Sequence, residues 1–242
     1  MPRSIKALAR PLYSLLLRPS FRCSYTFVEL QQLLGYTPQE AALSDAMDFA
    51  KWSQLEGDYL EFGVYEGRRL ASAFHFARRN GLKNMRFHAF DSFQGLPAPT
   101  GLDAEGFKQF DQGEYAADVQ RFRDNVLKSG VDLEKVSVVP GWFNETLNDE
   151  TKSRIGFESA AVVWVDCDLY ESTVPVLEFL TDSVRDGTVV IFDDWFCFRG
   201  DPGRGEQRAF SEWLDRNPDI TASEFHKFGW HGNSFILHRP DA

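Results

Sequence analysis

Two apolar runs that each end in carboxylates constrain this chain more than any other feature. Ala160-Ala161-Val162-Val163-Trp164-Val165 runs into Asp166-Cys167-Asp168, and Thr188-Val189-Val190-Ile191-Phe192 runs into Asp193-Asp194. Both runs are short and rich in β-branched residues, as buried parallel strands are. Carboxylates that close adjacent parallel strands converge on the edge where open α/β sheets bind ligands. Such groups repel one another unless a cation or a proton neutralises them. A divalent metal is therefore the first expectation for that edge.

The surrounding pattern alternates strand and helix, which predicts an α/β fold with a doubly wound, mostly parallel sheet. Strands are expected at 59–62, 85–90, 135–139, 160–165 and 188–192. Helices are expected from 67 to 79, at 115–129, at 171–184 and at 206–215. Two late strands, about 219–226 and 233–238, flank Gly229-Trp230-His231-Gly232 and predict an antiparallel C-terminal hairpin. Residues 26–56 read as helical, with Thr37-Pro38-Gln39-Glu40 as a helix start. The expectation is a basic arm and helical extension over 1–56 and one domain over 57–242.

The 242 residues suffice for one large core, and the 22 Phe predict that it is aromatic. A net charge of −10 argues against a nucleic-acid partner. Residues 1–25 oppose that balance with Arg3, Lys6, Arg10, Arg18 and Arg22 and no acid. Their apolar run, residues 11–17, is bounded by arginines and is too short to span a bilayer. An ordinary N-terminal arm is expected, with a membrane-surface or homo-oligomer contact as the alternative use. Cys23, Cys167 and Cys197 have neither zinc-site nor disulfide spacing, which fits a reducing cytoplasm.

A second signal lies nearer the start. Glu61-Phe62-Gly63-Val64-Tyr65-Glu66-Gly67 occupies a strand-to-helix turn, where glycines allow close approach of a ligand or close packing of the helix. Asp91 ends the next expected strand, placed to accept the hydroxyls of a ribose. The spacing is not Gly-x-Gly-x-x-Gly, so the pyrophosphate fingerprint of a nicotinamide enzyme is missing. A ligand with a ribose and no phosphate, S-adenosylmethionine, fits better.

Five segments in order resemble the macrocin O-methyltransferase family. They are the glycine turn just quoted, Phe90-Asp91-Ser92-Phe93-Gln94-Gly95-Leu96-Pro97, Pro140-Gly141-Trp142-Phe143-Asn144-Glu145-Thr146-Leu147, residues 166–173, and Ile191-Phe192-Asp193-Asp194-Trp195. The match runs from about residue 57 to 215. The resemblance implies a class I, Rossmann-like methyltransferase fold of seven strands, S-adenosylmethionine as methyl donor, and a divalent ion, usually Mg²⁺. It implies a donor site built from Glu61, Phe62, Gly63, Val64, Tyr65, Gly67, Asp91, Ser92, Gly141 and Trp142. By position, Asp166, Asp193 and Asp194 correspond to the metal ligands and Asp168 to the carboxylate that acts as base in some members. Other members carry a histidine before the helix expected at 115, where this chain reads Phe110-Asp111-Gln112-Gly113-Glu114-Tyr115. That departure shifts weight to Asp168, with His231 as a weaker candidate base and a surface hairpin histidine as its plainer reading.

On this basis the acceptor is a small molecule's hydroxyl, first a sugar diol of a glycosylated natural product and second a catechol. Hard oxygen ligands suit Mg²⁺, which keeps positions open for such a group. Asp168 or Glu171 has an alternative role as the cap of the helix beginning near Ser172. The long stretch from Gln94 to Gly113 and the loop 196–206 read as a lid over the acceptor. Phe107, Phe110, Trp142, Trp195 and Phe196 are available as its apolar walls. A nicotinamide oxidoreductase and a non-catalytic binding subunit on the same fold are the rival classes.

Overall fold

The computed structural model describes residues 36–240. The expected basic arm, and the part of the helical extension before residue 36, lie outside the described residues. Helix α1 (Pro38–Trp52) opens with a capping box: Thr37 Oγ1 accepts from the Glu40 amide and Glu40 accepts from the Thr37 amide.

Strand and helix then alternate: β1 (Asp58–Phe62), α2 (Arg68–Asn80), β2 (Phe87–Asp91), the short α3 (Gly101–Ala104), α4 (Val119–Lys128), β3 (Val136–Pro140), the short α5 (Phe143–Thr146), α6 (Asp149–Ile155), β4 (Ala160–Val165), α7 (Tyr170–Leu180), β5 (Val184–Phe192), α8 (Gly205–Arg216), β6 (Thr221–Glu224) and β7 (Asn233–His238). All seven strands form one sheet in the order β3-β2-β1-β4-β5-β7-β6. The first five are mutually parallel and β7 runs antiparallel to both β5 and β6. This is the doubly wound α/β sheet with an antiparallel C-terminal hairpin that the alternation predicts. Among the described residues no helix is long and apolar enough to cross a membrane.

Strand side chains alternate between two cores, as a period of two requires. Tyr59, Phe87, Ala89, Val162, Trp164 and Ile191 face α1, α2 and α4, while Leu60, Phe62, Phe90, Val163, Val165 and Phe192 face α7 and α8. Leu43, Ala46, Met47 and Ala50 of α1 lie in the first of these cores and are fully buried. Burying a side chain the size of Leu43 or Met47 contributes about 1.5–3 kcal/mol. The second core is aromatic, with Phe62 stacked on Phe90 at 4.7 Å and Phe157 on Phe179 at 5.8 Å.

Several boundaries differ from expectation for identifiable reasons. α4 starts at Val119, not 115, because Asp118 caps it, accepting from the amides of Gln120 and Arg121. β5 begins at Val184, where a helix tail was expected. A bulge at 185–187 lets Thr188 Oγ1 accept from the Arg185 amide while donating to the Ala160 carbonyl.

The cap of α7 is the larger surprise. Neither Asp168 nor Glu171 supplies it. Buried Asp103, from the long 94–113 loop, accepts from the amides of Tyr170 at 3.0 Å and Glu171 at 3.1 Å. That loop is also tied down by Arg204, which donates to the carbonyls of Phe107 and Leu102. The Phe198 amide donates to Gln109 at 2.7 Å.

Chain order crosses from β3 at one end of the sheet to β4 beside β1. The C-terminal ends of β1 and β4 therefore border the crevice where the winding reverses, the place for a ligand in an open α/β sheet.

Candidate active site

The glycine turn packs the fold together at this crevice. Gly63 has φ +87° and sits so close to the end of β4 that a Cβ there would lie 1.9 Å from the Asp166 carbonyl oxygen. Gly67, at φ +83°, backs onto Phe122 and Val126 of α4 in the same way. Both glycines thus serve close packing of backbone on its neighbours.

Asp91 clamps the turn. Its Oδ2 accepts from the amides of Val64 at 2.8 Å and Tyr65 at 2.9 Å, and its Oδ1 accepts from Phe93 at 2.7 Å. Burial raises Asp91 above the usual carboxylate range while these amides pull it down. Glu61 is buried behind the turn, accepting from the Tyr59 hydroxyl at 2.6 Å. Burial pushes it up to about 8.

The carboxylates of β4 and β5 gather beside the turn. Asp166, Asp168 and Asp194 each offer an oxygen within 4.8 Å of the others. Asp193 stands next to them, with its carboxylate toward Arg69 and His231. Burial, reinforced by neighbouring carboxylates, pushes Asp166, Asp193 and Asp194 up to about 7 and Asp168 well above its ordinary value. Asp168 also has φ +64°, uncommon for a residue with a side chain, inside a tight turn closed by the Leu169 amide on the Cys167 carbonyl. Strained backbone of this kind costs of order 1–3 kcal/mol and clusters at functional sites.

The donor set fits a hard divalent ion. All its atoms are carboxylate oxygens, and Asp193 Oδ1 is buried without a hydrogen-bond partner. Asp194 Oδ2 is likewise buried, and finds a donor only if Asp168, which faces it, holds a proton. An added cation relieves both the orphaned oxygens and the mutual repulsion.

Four residues of this edge carry no signal in the sequence. Arg69 on α2 reaches between Asp166 and Asp193 with its guanidinium over the Trp164 ring. Glu206, the second residue of α8, is buried and accepts from the Asp194 amide at 3.0 Å. Next to it, Gln207 donates to the Trp195 carbonyl at 2.6 Å, so the start of α8 holds the 194–195 turn. Gln39 of α1 meets Nε2 of His231 at 3.3 Å.

His231 itself is engaged on both ring nitrogens, since Nδ1 faces the Asp193 carbonyl oxygen. The pairing assigns the proton to Nδ1 and leaves Nε2 as acceptor from the Gln39 amide. This histidine therefore braces the Asp193 loop, and it does not line the cavity.

A single cavity of about 770 Å³ joins these parts. Gly63, Val64, Tyr65, Asp91, Ser92 and Trp142 line one side, and Asp166, Asp168, Asp193 and Asp194 another. The expected donor-site residues Glu61, Phe62, Gly67 and Gly141 do not line the cavity. Of the expected apolar walls only Trp142 lines the cavity; Phe107, Phe110, Trp195 and Phe196 do not. Tyr115 takes part instead, an exposed ring set edge-to-face with Tyr65 at 6.2 Å.

Comparison with known proteins follows the same lines. The sequence profile of the Macrocin-O-methyltransferase (TylF) family matches residues 37–208. The 8-demethyl-8-(2,3-dimethoxy-alpha-L-rhamnosyl)-tetracenomycin-C 4'-O-methyltransferase of Streptomyces olivaceus is 32% identical over 145 residues, 58% of this chain and 54% of that protein. The mycinamicin III 3''-O-methyltransferase of Micromonospora griseorubida is 27% identical over 159 residues, 63% of this chain and 61% of that protein. The chain thus spans less than two thirds of the length of these relatives. The solved structure of the O-methyltransferase NovP superposes with a TM-score of 0.68 at 23% identity, covering 82% of this chain and 79% of that one, a likeness of fold.

Proposed function

The chain belongs to the macrocin O-methyltransferase family, and we propose that it is an S-adenosylmethionine-dependent, Mg²⁺-dependent O-methyltransferase whose acceptor is a hydroxyl on the sugar of a glycosylated natural product. The observation that carries this reading is the cavity that sets the Asp91-clamped turn beside converging carboxylates. The sugar acceptor follows the names of the relatives, which methylate a rhamnosyl tetracenomycin and mycinamicin III.

In this reading Asp166, Asp193 and Asp194 hold the ion, with Asp166 and Asp194 already converging on one point. When bound, the ion supplies Lewis acidity to the acceptor hydroxyl and S-adenosylmethionine supplies the methyl group. The protein's own groups do the rest. Asp91 holds the Val64 and Tyr65 amides in place, fixing the floor on which the donor rests. Asp168, turned into the cavity by its strained backbone, accepts the hydroxyl proton on a carboxylate oxygen. To do so it must be ionised, which its buried and acidic surroundings oppose. A cation among these carboxylates is thus a requirement of the mechanism. Arg204 and Asp103 pin the 94–113 loop across the acceptor side, excluding water and aligning the two reactants.

Calorimetry with S-adenosylhomocysteine, with and without Mg²⁺, tests the reading. Binding is expected, coupled to Mg²⁺ and to the presence of a rhamnosyl acceptor. Absence of binding under both conditions favours the non-catalytic class, and binding of NADH in its place favours the oxidoreductase.

A further inference from the structure

The cation nearest the carboxylate edge belongs to the chain itself. Arg69 Nη2 lies 3.7 Å from Asp166 Oδ2 and 3.6 Å from Asp193 Oδ2. Among the described residues no other lysine or arginine lies within ion-pair distance of Asp166, Asp168, Asp193 or Asp194. Its neighbour Arg68 points away, to Glu40. A locked arginine–carboxylate pair closes to about 2.7–2.9 Å, so both contacts here are Coulombic and loose. Arg69 Nε is buried with no partner. What holds the side chain is the Trp164 ring, 4.5 Å beneath the guanidinium carbon, together with the field of the two carboxylates. A cation seated this way is neutralising but exchangeable.

We propose that Arg69 is the resident counter-cation of this edge: it stands between Asp166 and Asp193 in the ion-free protein, competes with a divalent ion for both, and so sets the affinity of the site. The inference rests on the reading of Asp166, Asp193 and Asp194 as ion ligands. Its physical basis is simple. Four carboxylates, two buried and two half-buried, cannot stay together unneutralised, and the chain supplies one positive charge at the spot where the ion must pull two of them inward. Ion binding then requires Arg69 to swing off Asp166 along the face of Trp164, which loose contacts and an unbonded Nε allow. The device keeps the site folded without metal and prevents very tight retention of whichever divalent ion arrives first.

Titration of the full chain with Mn²⁺, read by the loss of free-ion EPR signal, tests this. Arg69→Met and Arg69→Gln are expected to bind Mn²⁺ about tenfold more tightly or better, because a unit positive charge a few Å from the ion is removed. Arg69→Lys, which keeps the charge, is expected to stay within about threefold of the unsubstituted protein. In EDTA the two neutral variants are expected to melt lower than the unsubstituted protein and to recover more on adding Mg²⁺. Unchanged or weaker Mn²⁺ binding in the neutral variants, with normal binding by the unsubstituted protein, overturns the inference and leaves the ion site standing. A loss of S-adenosylhomocysteine affinity with unchanged Mn²⁺ affinity also overturns it, moving Arg69 to the donor's carboxylate. No Mn²⁺ binding by any of the four proteins overturns the inference and the ion site together. If neither neutral variant folds, Arg69→Lys decides: an affinity change beyond about tenfold in either direction overturns the role as a simple charge.

Discussion

The carboxylate of Asp103 caps the helix that begins at Tyr170, accepting its amide at 3.0 Å across 67 residues of chain. One buried side chain thereby anchors the 94–113 loop and supports the segment that presents Asp168. Asp103→Ala is expected to destabilise the protein by about 1–2 kcal/mol, the range for loss of a cap. It is also expected to speed tryptic cleavage at the exposed Lys108. Asp103→Asn, which keeps an acceptor, is expected to lose less than half as much. Urea denaturation and timed proteolysis check both.

Asp168→Asn separates stability from function. Asparagine tolerates the positive φ of this turn, and the change removes a carboxyl that its buried, acidic surroundings force to take up a proton on folding. The variant is expected to melt a few degrees higher in EDTA, with S-adenosylhomocysteine binding retained and turnover reduced about a hundredfold or more. A melting temperature that falls, or a turnover that survives, argues against Asp168 as the base.

Removal of the ion is expected to abolish methyl transfer, and Mg²⁺ to restore it. Asp166→Ala and Asp194→Ala are expected to lose turnover while still binding S-adenosylhomocysteine, because neither side chain holds the glycine turn. Full activity in EDTA is incompatible with the metal role.

Asp91→Ala strands three amides, those of Val64, Tyr65 and Phe93, in a partly closed crevice. With about 1–3 kcal/mol for each buried unsatisfied group, a loss of about 3 kcal/mol or more in stability is expected. Donor affinity is expected to fall with it. Asp91→Asn keeps one oxygen acceptor and is expected to fall between. Chemical denaturation and calorimetry on the same samples resolve the two effects.

Glu61 makes stability depend on pH. Its ordinary value near 4.5 rises to about 8 in the folded protein, chiefly by burial. Below pH 4.5 the group is protonated in both states and exacts no penalty. Between 4.5 and 8 the unfolded chain ionises while the folded one keeps its proton, so stability falls as pH rises, by at most about 1.4 kcal/mol per pH unit from this group. Above 8 the effect is complete. Glu61→Gln, which still accepts from Tyr59, is expected to gain on the unsubstituted protein steadily from pH 5 to 8. Parallel denaturation curves at four pH values would show it; a constant difference refutes it.

The sequence by itself determined the alternation of strand and helix, the carboxylates at the ends of β4 and β5, and the glycine turn after β1. Those features are local: a β-branched apolar run, the residue that ends it and the spacing of two glycines are all read within a dozen positions. Together with the segments 90–97 and 140–147 they carry the resemblance to the family. What the turn glycines and Asp91 do was only half legible, because the same residues suit a ligand or a close-packed backbone, and only the distance from Gly63 to the Asp166 carbonyl distinguishes them. The rest was decided by tertiary structure. Asp103 looks like any loop aspartate until the fold lays it on the amides of Tyr170 and Glu171. Arg69 looks like one more helix-surface cation, and Glu206 like an ordinary first-turn acid, until α2 and α8 dock at the β4–β5 edge. His231 becomes a brace because β7 returns antiparallel beside β5 and brings the hairpin against Asp193 and Gln39. Most of these partnerships join residues far apart in the chain, and even Glu206 reaches Asp194 only across a loop and a helix start. Burial, not local preference, selects them, since a charge taken out of water must find its partner wherever the fold has put one.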